Sequence, residues 1–293
     1  MVSISDLEAL QCDVPSHVLE KLRQDSCQLE MIPEAATEAL RLVNDPSCKI
    51  SLVASTISRD VSLASNILKI ANSVLYSPGR AIVSVQEAVV HVGFHQCRNL
   101  ILASCAKGMM QNSETAPEFS KKDLIEHSLL TAEIASLISR ELRLGFQGED
   151  YAAGLLHDIG RLLLAVVFPE RSKELNEIYR GDSEEILRKE IACFETDHAT
   201  LGCHFAISNR IPATLAEAIR FHHTPEEAKL HRLLTVLVSV ADELAHAMVH
   251  SEREYAARQL PAFAAVAGTA CAEQLETQVE RILEIAQSCS TTL

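Results

Sequence analysis

Gly154-Leu155-Leu156-His157-Asp158-Ile159-Gly160 places an imidazole next to a carboxylate at the end of an apolar stretch. The stretch reads as part of a helix opening at Gly148-Glu149-Asp150. Adjacent His and Asp side chains offer a metal one nitrogen and one oxygen, and the carboxylate can bridge two ions. Five further positions could join them if helices converge: His127, His198, the pair His222-His223 and Asp242, with Asp123 one helical turn before His127. Asp123 and His127 are four apart and so share a helix face. A His and carboxylate set without thiolate suits Fe, Mn, Zn or Ni better than a Cys-rich structural zinc site. Each residue also has a plainer reading. His222-His223 at a helix end is favoured by the helix dipole, and His198 taken alone reads as a surface or core group. Asp242 is hardest to explain otherwise, because a carboxylate among Val238, Val240, Ala241 and Leu244 is costly unless paired or ligating.

Composition agrees with a helical scaffold. The 293 residues are 47% hydrophobic but only 4% aromatic, with no Trp, 10 Gly and 9 Pro. The core is therefore mostly Leu, Ile, Val and Ala, and Leu and Ala favour helix. The fold class expected is all-α, a helical bundle. The net charge of −14 disfavours a broad nucleic-acid interface, which usually needs a basic face. Nine cysteines without a C-x-x-C pair, together with an acidic opening segment, suggest reduced thiols in a cytoplasm. No apolar run approaches the roughly 18–20 residues of a membrane span. The chain is expected to be soluble, with no membrane partner.

Periodicity and turn signals divide the chain. Residues 1–30 suggest a short amphipathic helix or two. Helices are then predicted over Glu34–Val43, about Ser51–Ser58, and about Ser62–Val74, the last ending at Tyr76-Ser77-Pro78-Gly79. Ser84-Val85-Gln86-Glu87 is a capping-box pattern opening a helix that Gly93 interrupts, and another runs from about His95 to Met110. The polar stretch 111–118 is the best boundary, giving a helical N-terminal subdomain over 1–112 and a second helical domain over 113–293. There Ser120 caps a helix to about Leu142. Pro169 and Gly181-Asp182-Ser183 separate two more, the second running past Glu195. Ile211-Pro212 opens one that ends at His222-His223. One long helix is predicted over 226–250 and an amphipathic one over 273–288. No phosphate-binding glycine loop and no G-x-S-x-G elbow is present, which disfavours nucleotide-loop and serine-hydrolase chemistry.

The chain resembles the HDOD domain proteins, a bacterial signalling group related to HD-domain phosphohydrolases and HD-GYP phosphodiesterases. In the first half the resemblance rests on Leu68-Lys69-Ile70-Ala71-Asn72-Ser73-Val74-Leu75-Tyr76, Val90-His91-Val92-Gly93-Phe94 and Arg98-Asn99-Leu100. In the second it rests on Gly154 to Leu162, Phe168-Pro169-Glu170, Asp197-His198-Ala199-Thr200-Leu201-Gly202 and Ala218-Ile219-Arg220-Phe221-His222-His223. It implies an HD-like core in the second domain, with metal ligands at His127, His157, Asp158 and Asp242. The larger HD-GYP pattern adds Asp123, where that family has Glu, with His198, His222 and His223.

Two departures matter. Thr224-Pro225-Glu226-Glu227 stands where the Gly-Tyr-Pro segment is expected, which disfavours cyclic di-GMP hydrolysis. Arg161 replaces the usual Lys, keeping the charge but changing the shape. The leading expectation is therefore a bacterial cytoplasmic regulatory protein of signal transduction with a metal pocket and an unidentified signalling partner. A homodimer and a phosphorylated small-molecule ligand are compatible with it. The alternative is a metal-dependent phosphohydrolase on a nucleotide or phosphodiester, with Asp158 as catalytic residue and Arg161 or Arg220 binding phosphate. A third class is a diiron sensor or oxygenase. The donor set suits two six-coordinate ions roughly 3.5–4 Å apart, Fe or Mn by ligand hardness with Zn or Ni as alternatives. If the residues are a relic, no metal binds.

Overall fold

The computed structural model describes residues 10, 12–25, 33–43, 45, 47–73, 79–179, 183–250 and 260–290. The turn expected at Tyr76-Ser77-Pro78, the break at Gly181-Asp182, the opening residues 1–9 and Cys27 lie outside them. Among the described residues the chain is helical and without strands. No single described helix is long and apolar enough to cross a membrane.

The first half contains α1 (Ser16–Asp25), α2 (Glu34–Val43), α3 (Ile50–Ile57), α4 (Val61–Ala71) and α5 (Val85–Asn112). Helix α2 buries Ala36, Ala39, Leu42 and Val43, the three-to-four stripe seen in its sequence. That stripe joins Val53, Ile57, Leu63, Ile67, Ala88 and Ile101 in one apolar cluster. Caps fix the starts of the next elements. The Asp60 carboxylate accepts the Leu63 N–H at 2.8 Å, and the Ser84 hydroxyl accepts the Glu87 N–H at 3.1 Å. Glu87 reaches back to the Val83 N–H at 3.2 Å, so the predicted capping box is formed one residue early. Gly93 stands at φ 77 and ψ 168, non-helical backbone that divides α5 into the two helical segments expected on either side of it. Helix α1 belongs elsewhere. Leu10 and Val18 are buried in the core of the second half.

The second half runs through α6 (Lys121–Glu141), α7 (Glu149–Leu156), α8 (Ile159–Val167), a 3₁₀ turn at Pro169–Arg171, α9 (Ser172–Ile178), α10 (Ser183–Phe194), α11 (His198–Ser208) and α12 (Ala213–Phe221). A second 3₁₀ turn at Pro225–Glu227 leads to α13 (Arg232–His250), α14 (Leu260–Ala267) and α15 (Thr269–Ser290). Helix α6 lies against α7, α13 and α15, while α11 lies against α8 and α12. Phe263, Leu275 and Ile282 seal the far ends of α6 and α13.

Several boundaries differ from the sequence expectation. The helix opening at Gly148 does not carry His157-Asp158 through. It stops at Leu156, with His157 capping its end and Asp158 preceding α8. Helix α10 stops at Phe194 rather than running past Glu195, because Glu195 adopts the left-handed region at φ 59. The long helix expected over 226–250 starts only at Arg232. The Glu217 carboxylate takes the backbone N–H groups of Lys229 (2.8 Å), Leu230 (2.9 Å) and His231, removing them from any helical ladder. The amphipathic C-terminal helix begins earlier than predicted, directly after Gly268.

The break at His157-Asp158 depends on how closely helices approach beside it. A Cβ on Gly160 would stand 1.8 Å from the His198 carbonyl oxygen, and one on Gly154 would stand 2.7 Å from the Ala132 Cα. Backbone meets backbone at both ends of the motif, bringing α7 onto α6 and the start of α8 onto the start of α11. Gly160→Ala is therefore expected to cost about 3 kcal/mol or more, since backbone on both sides cannot yield as a side chain can. Gly108→Ala, a helical position with nothing within 4 Å of an added Cβ, is expected to be neutral or to gain about 0.5–1 kcal/mol. Denaturant unfolding of the two variants separates the effects, and equal stabilities would contradict the close-approach argument.

Candidate metal centre

Helix α6 supplies His127, the α7–α8 junction His157 and Asp158, the first residue of α11 His198, the end of α12 His222 and His223, and the middle of α13 Asp242. The structure brings these seven side chains together. His127 Nε2 is 2.9 Å from Asp242 Oδ1 and 3.6 Å from Asp158 Oδ2. His157 Nε2 lies 3.3 Å from Asp158 Oδ2 and 3.5 Å from Asp242 Oδ1. On the other side, Asp158 Oδ1 is 3.3 Å from His198 Nε2 and 3.7 Å from His222 Nε2. His223 closes the ring, with Nε2 at 3.1 Å from His198 Nε2 and Nδ1 at 3.9 Å from Asp242 Oδ2.

The imidazoles are oriented from behind. His157 Nδ1 donates to the Gly154 carbonyl at 2.7 Å, and His222 Nδ1 donates to the Ile219 carbonyl at 2.9 Å. A carbonyl can only accept, so both rings carry a proton on Nδ1 and turn Nε2 into the cluster. The His198 ring is held by Glu190 Oε2, 2.7 Å from Nδ1, and the same oxygen accepts the His198 N–H at 2.9 Å. Outer hydrogen bonds of this kind fix the tautomer and ring angle of metal-ligating histidines.

Burial and charge are in conflict here. His157, Asp158 and His198 are fully buried. Burial disfavours the charged carboxylate of Asp158, yet Arg161 and His157 beside it hold the group well below the usual carboxylate range. Asp242 is likewise held low against burial by His127 and His157. Burial also opposes the charged form of His157, but Asp158 and Asp242 override it and raise the imidazole to about 10. His198 is raised through Glu190, again against burial. His222 and His223 are pushed down, first by burial. The two carboxylates thus demand positive charge that water cannot reach to replace.

The residues fit a resident metal. His157 Nε2 and both Asp158 oxygens are buried without a well-aligned hydrogen bond, although Arg161 Nε pairs with Asp158 Oδ1 at 3.0 Å; a cation between the nitrogen and the carboxylate would offset that cost. Donor atoms fall into overlapping sets, each within 4.8 Å: Asp158, His198, His222 and His223; His127, His157 and Asp158; and His157, His222 and Asp242. Asp158 belongs to the first two sets, one on each of its faces.

The other expected residues stand at the margin. Asp123 is exposed on α6 one turn before His127 and enters none of these sets. It lines a cavity of about 300 Å³ together with His127, Arg161, Tyr179 and His246. Arg161 Nε is 3.0 Å from Asp158 Oδ1, and its guanidinium lies over the Tyr179 ring at 4.6 Å. Arg220 instead covers the Phe221 ring at 5.0 Å and does not line that cavity.

Glu190 and Tyr179 were not visible as site residues in the sequence. A signal existed for Glu190. It occupies the buried stripe of α10 between Ile186 and Phe194, where a carboxylate needs a partner. Tyr179 offers no such pattern.

Seven side chains from well-separated parts of the sequence thus form one buried His and Asp cluster in a helical protein. The HDOD domain profile matches residues 29–225, and the chain belongs to the HDOD domain family. A protein of Treponema pallidum (strain Nichols) is 27% identical over 210 residues, an alignment covering 69% of this chain and 39% of the relative. The chain thus spans well under half the length of that relative. Among solved structures, a candidate phosphohydrolase from Shewanella amazonensis SB2B superposes with a TM-score of 0.69 at 23% identity, covering 93% of this chain and 97% of that one. An HDOD domain protein of unknown function from Geobacter sulfurreducens does so at 0.67 and 21% identity, covering 92% and 96%. At such identities these likenesses concern the fold.

Glu190→Gln keeps the shape of the side chain behind His198 but removes its charge. Metal affinity is expected to fall roughly 10–100-fold, measured by chelator competition, with the helical circular dichroism unchanged. An unaltered affinity would show that Glu190 does not orient His198 for a metal.

Proposed function

We propose that this protein is a regulatory module of signal transduction whose HD-like half holds a dinuclear Fe or Mn centre, and that it does not hydrolyse cyclic di-GMP. The observation that carries the reading is Asp158, buried without a well-aligned hydrogen bond beyond its Arg161 ion pair and flanked by imidazole nitrogens on both oxygens. His127, His157 and Asp242 would hold one ion, His198, His222 and His223 the other, with Asp158 shared. Asp123 would reach its ion only through water. Bacterial cytosol is the proposed setting and a signalling protein the proposed partner. The segment after His223 supports the absence of cyclic di-GMP turnover, since Pro225–Glu227 forms a 3₁₀ turn carrying two acids.

A second reading, a phosphohydrolase acting on a nucleotide or phosphodiester, is favoured by Arg161. When bound, a pair of divalent ions supplies Lewis-acid polarisation of a phosphoryl oxygen and an activated water. Arg161 would then orient the phosphoryl group from the wall of the 300 Å³ cavity. Its guanidinium is already aimed by Asp158 and by the Tyr179 ring. The name of the Shewanella relative points the same way, for that protein.

Metal analysis of protein purified without chelators, together with a hydrolysis screen of nucleotides and phosphodiesters, decides between them. The expected outcome is about two equivalents of Fe or Mn and no turnover of cyclic di-GMP. Asp158→Ala is expected to lose more than one equivalent and Asp123→Ala one or fewer. Turnover on any substrate in the screen would replace the regulatory reading with the second. A metal-free wild type after growth with ample iron and manganese would overturn the metal centre.

A further inference from the structure

A second concave site lies away from the metal centre, in a cleft of about 450 Å³ where α5, the C-terminal end of α6, the connection to α7 and the first turn of α7 meet. Its lining includes His91, Gln96, Ser136, Arg140, Arg143 and Asp150. Two arginines and a histidine around one cleft stand out in a chain of net charge −14. The single acid among them is subdued. Asp150 is buried, which raises its carboxyl above the usual range, and it accepts hydrogen bonds from the Tyr151 N–H at 2.9 Å and from the Ser139 side chain. Ser136 adds a second kind of observation. It is 6% exposed, and its hydroxyl oxygen is buried with no hydrogen-bond partner. A buried hydroxyl without a partner is the exception in folded proteins and calls for an explanation.

The walls are set in place. The fully buried Asn99 of α5 donates its Nδ2 to the Gln147 carbonyl at 3.0 Å, pinning the connecting segment to α5. Arg140 Nη2 stands 3.9 Å from Glu141 Oε1 at the C-terminal end of α6. Guanidinium forks bind tetrahedral oxyanions through paired N–H donors, and two of them with a hydroxyl and an imidazole suit a phosphoryl group better than a lone carboxylate. The volume is within the range of small-molecule sites.

We propose that this cleft is a binding site for a small phosphorylated metabolite, whose phosphoryl group is taken by Arg140, Arg143 and His91. The site is separate from the metal centre: Arg140 lies thirteen positions beyond His127 on α6, roughly 20 Å along the helix. Two of the elements that wall the cleft nevertheless lead to candidate metal ligands, α6 to His127 and α7 to His157. Occupancy of the cleft therefore bears on the same two helices that place those ligands.

The test is a titration of the ¹⁵N-labelled full chain with AMP and, separately, with inorganic phosphate, followed by amide chemical shifts. Saturable binding of AMP is expected, with shifts clustered over residues 139–150. Arg140→Gln/Arg143→Gln, a surface double variant, is expected to weaken AMP at least tenfold. Saturation by phosphate with the same cluster would assign recognition to the phosphoryl group, as proposed. The proposal is overturned if neither probe saturates at concentrations on the order of 10 mM. It is equally overturned if the double variant binds AMP as the wild type does, or if the shifts cluster at residues 157–161 and 222–223. That last pattern would place the anion at the metal centre, and none of these results bears on how much metal the protein holds.

Discussion

Two carboxylates share a volume that water barely enters, and the architecture around them answers the problem this creates. Asp158 is fully buried and Asp242 nearly so. An ion in such surroundings is strongly unfavourable unless opposite charge is close. Five imidazoles and one guanidinium surround the pair, none of them adjacent in sequence to Asp242. Helices from several parts of the chain must therefore end or bend at one place. The interruption of helix between α7 and α8, the early stop of α10 and the late start of α13 are all local departures from regularity found beside the cluster or beside its supports.

The apolar scaffold makes those departures tolerable. Clusters of Leu, Ile, Val and Ala continue through both halves and around the far ends of α6 and α13. Replacing a buried ionic cluster by packed hydrophobic side chains is often neutral or stabilising. A buried ionic cluster in a well-packed bundle is thus not explained by stability alone.

Much of the fold could be read from residue spacing because helices announce themselves locally. The stripe of α2, the cap at Ser84 and the kink at Gly93 each depend on side chains within a few positions of one another. The candidate ligands were also legible, since acids and histidines in apolar helical segments are conspicuous. Three kinds of feature were not. Glu217 stops a helix by capturing N–H groups more than ten positions away, and no local rule foresees that. Glu190 was masked by the ordinary assumption that a Glu in an amphipathic helix faces water. Glu195 sits in the left-handed region, where a Gly or Asn would have been the usual advertisement of a helix end. Arg220, next to the motif in sequence, lies over the Phe221 ring and does not line the cavity that holds Arg161.

The exchange of acids across the cluster has a bearing on assembly. His127, His157 and Asp158 come from one contiguous block of α6 to α8, whereas His198, His222, His223 and Asp242 come from a later block of α11 to α13. Asp242 reaches back to His127 and His157 in the earlier block, and Asp158 reaches forward to His198 and His222 in the later one. The set of His127, His157 and Asp158 lies within the earlier block, whereas the other two sets each draw residues from both blocks. A chain in which the two blocks have parted would keep His127, His157 and Asp158 together but leave His198 and His222 without Asp158, and His127 and His157 without Asp242. Occupancy of the centre would in this sense be a record of docking between the two helical blocks.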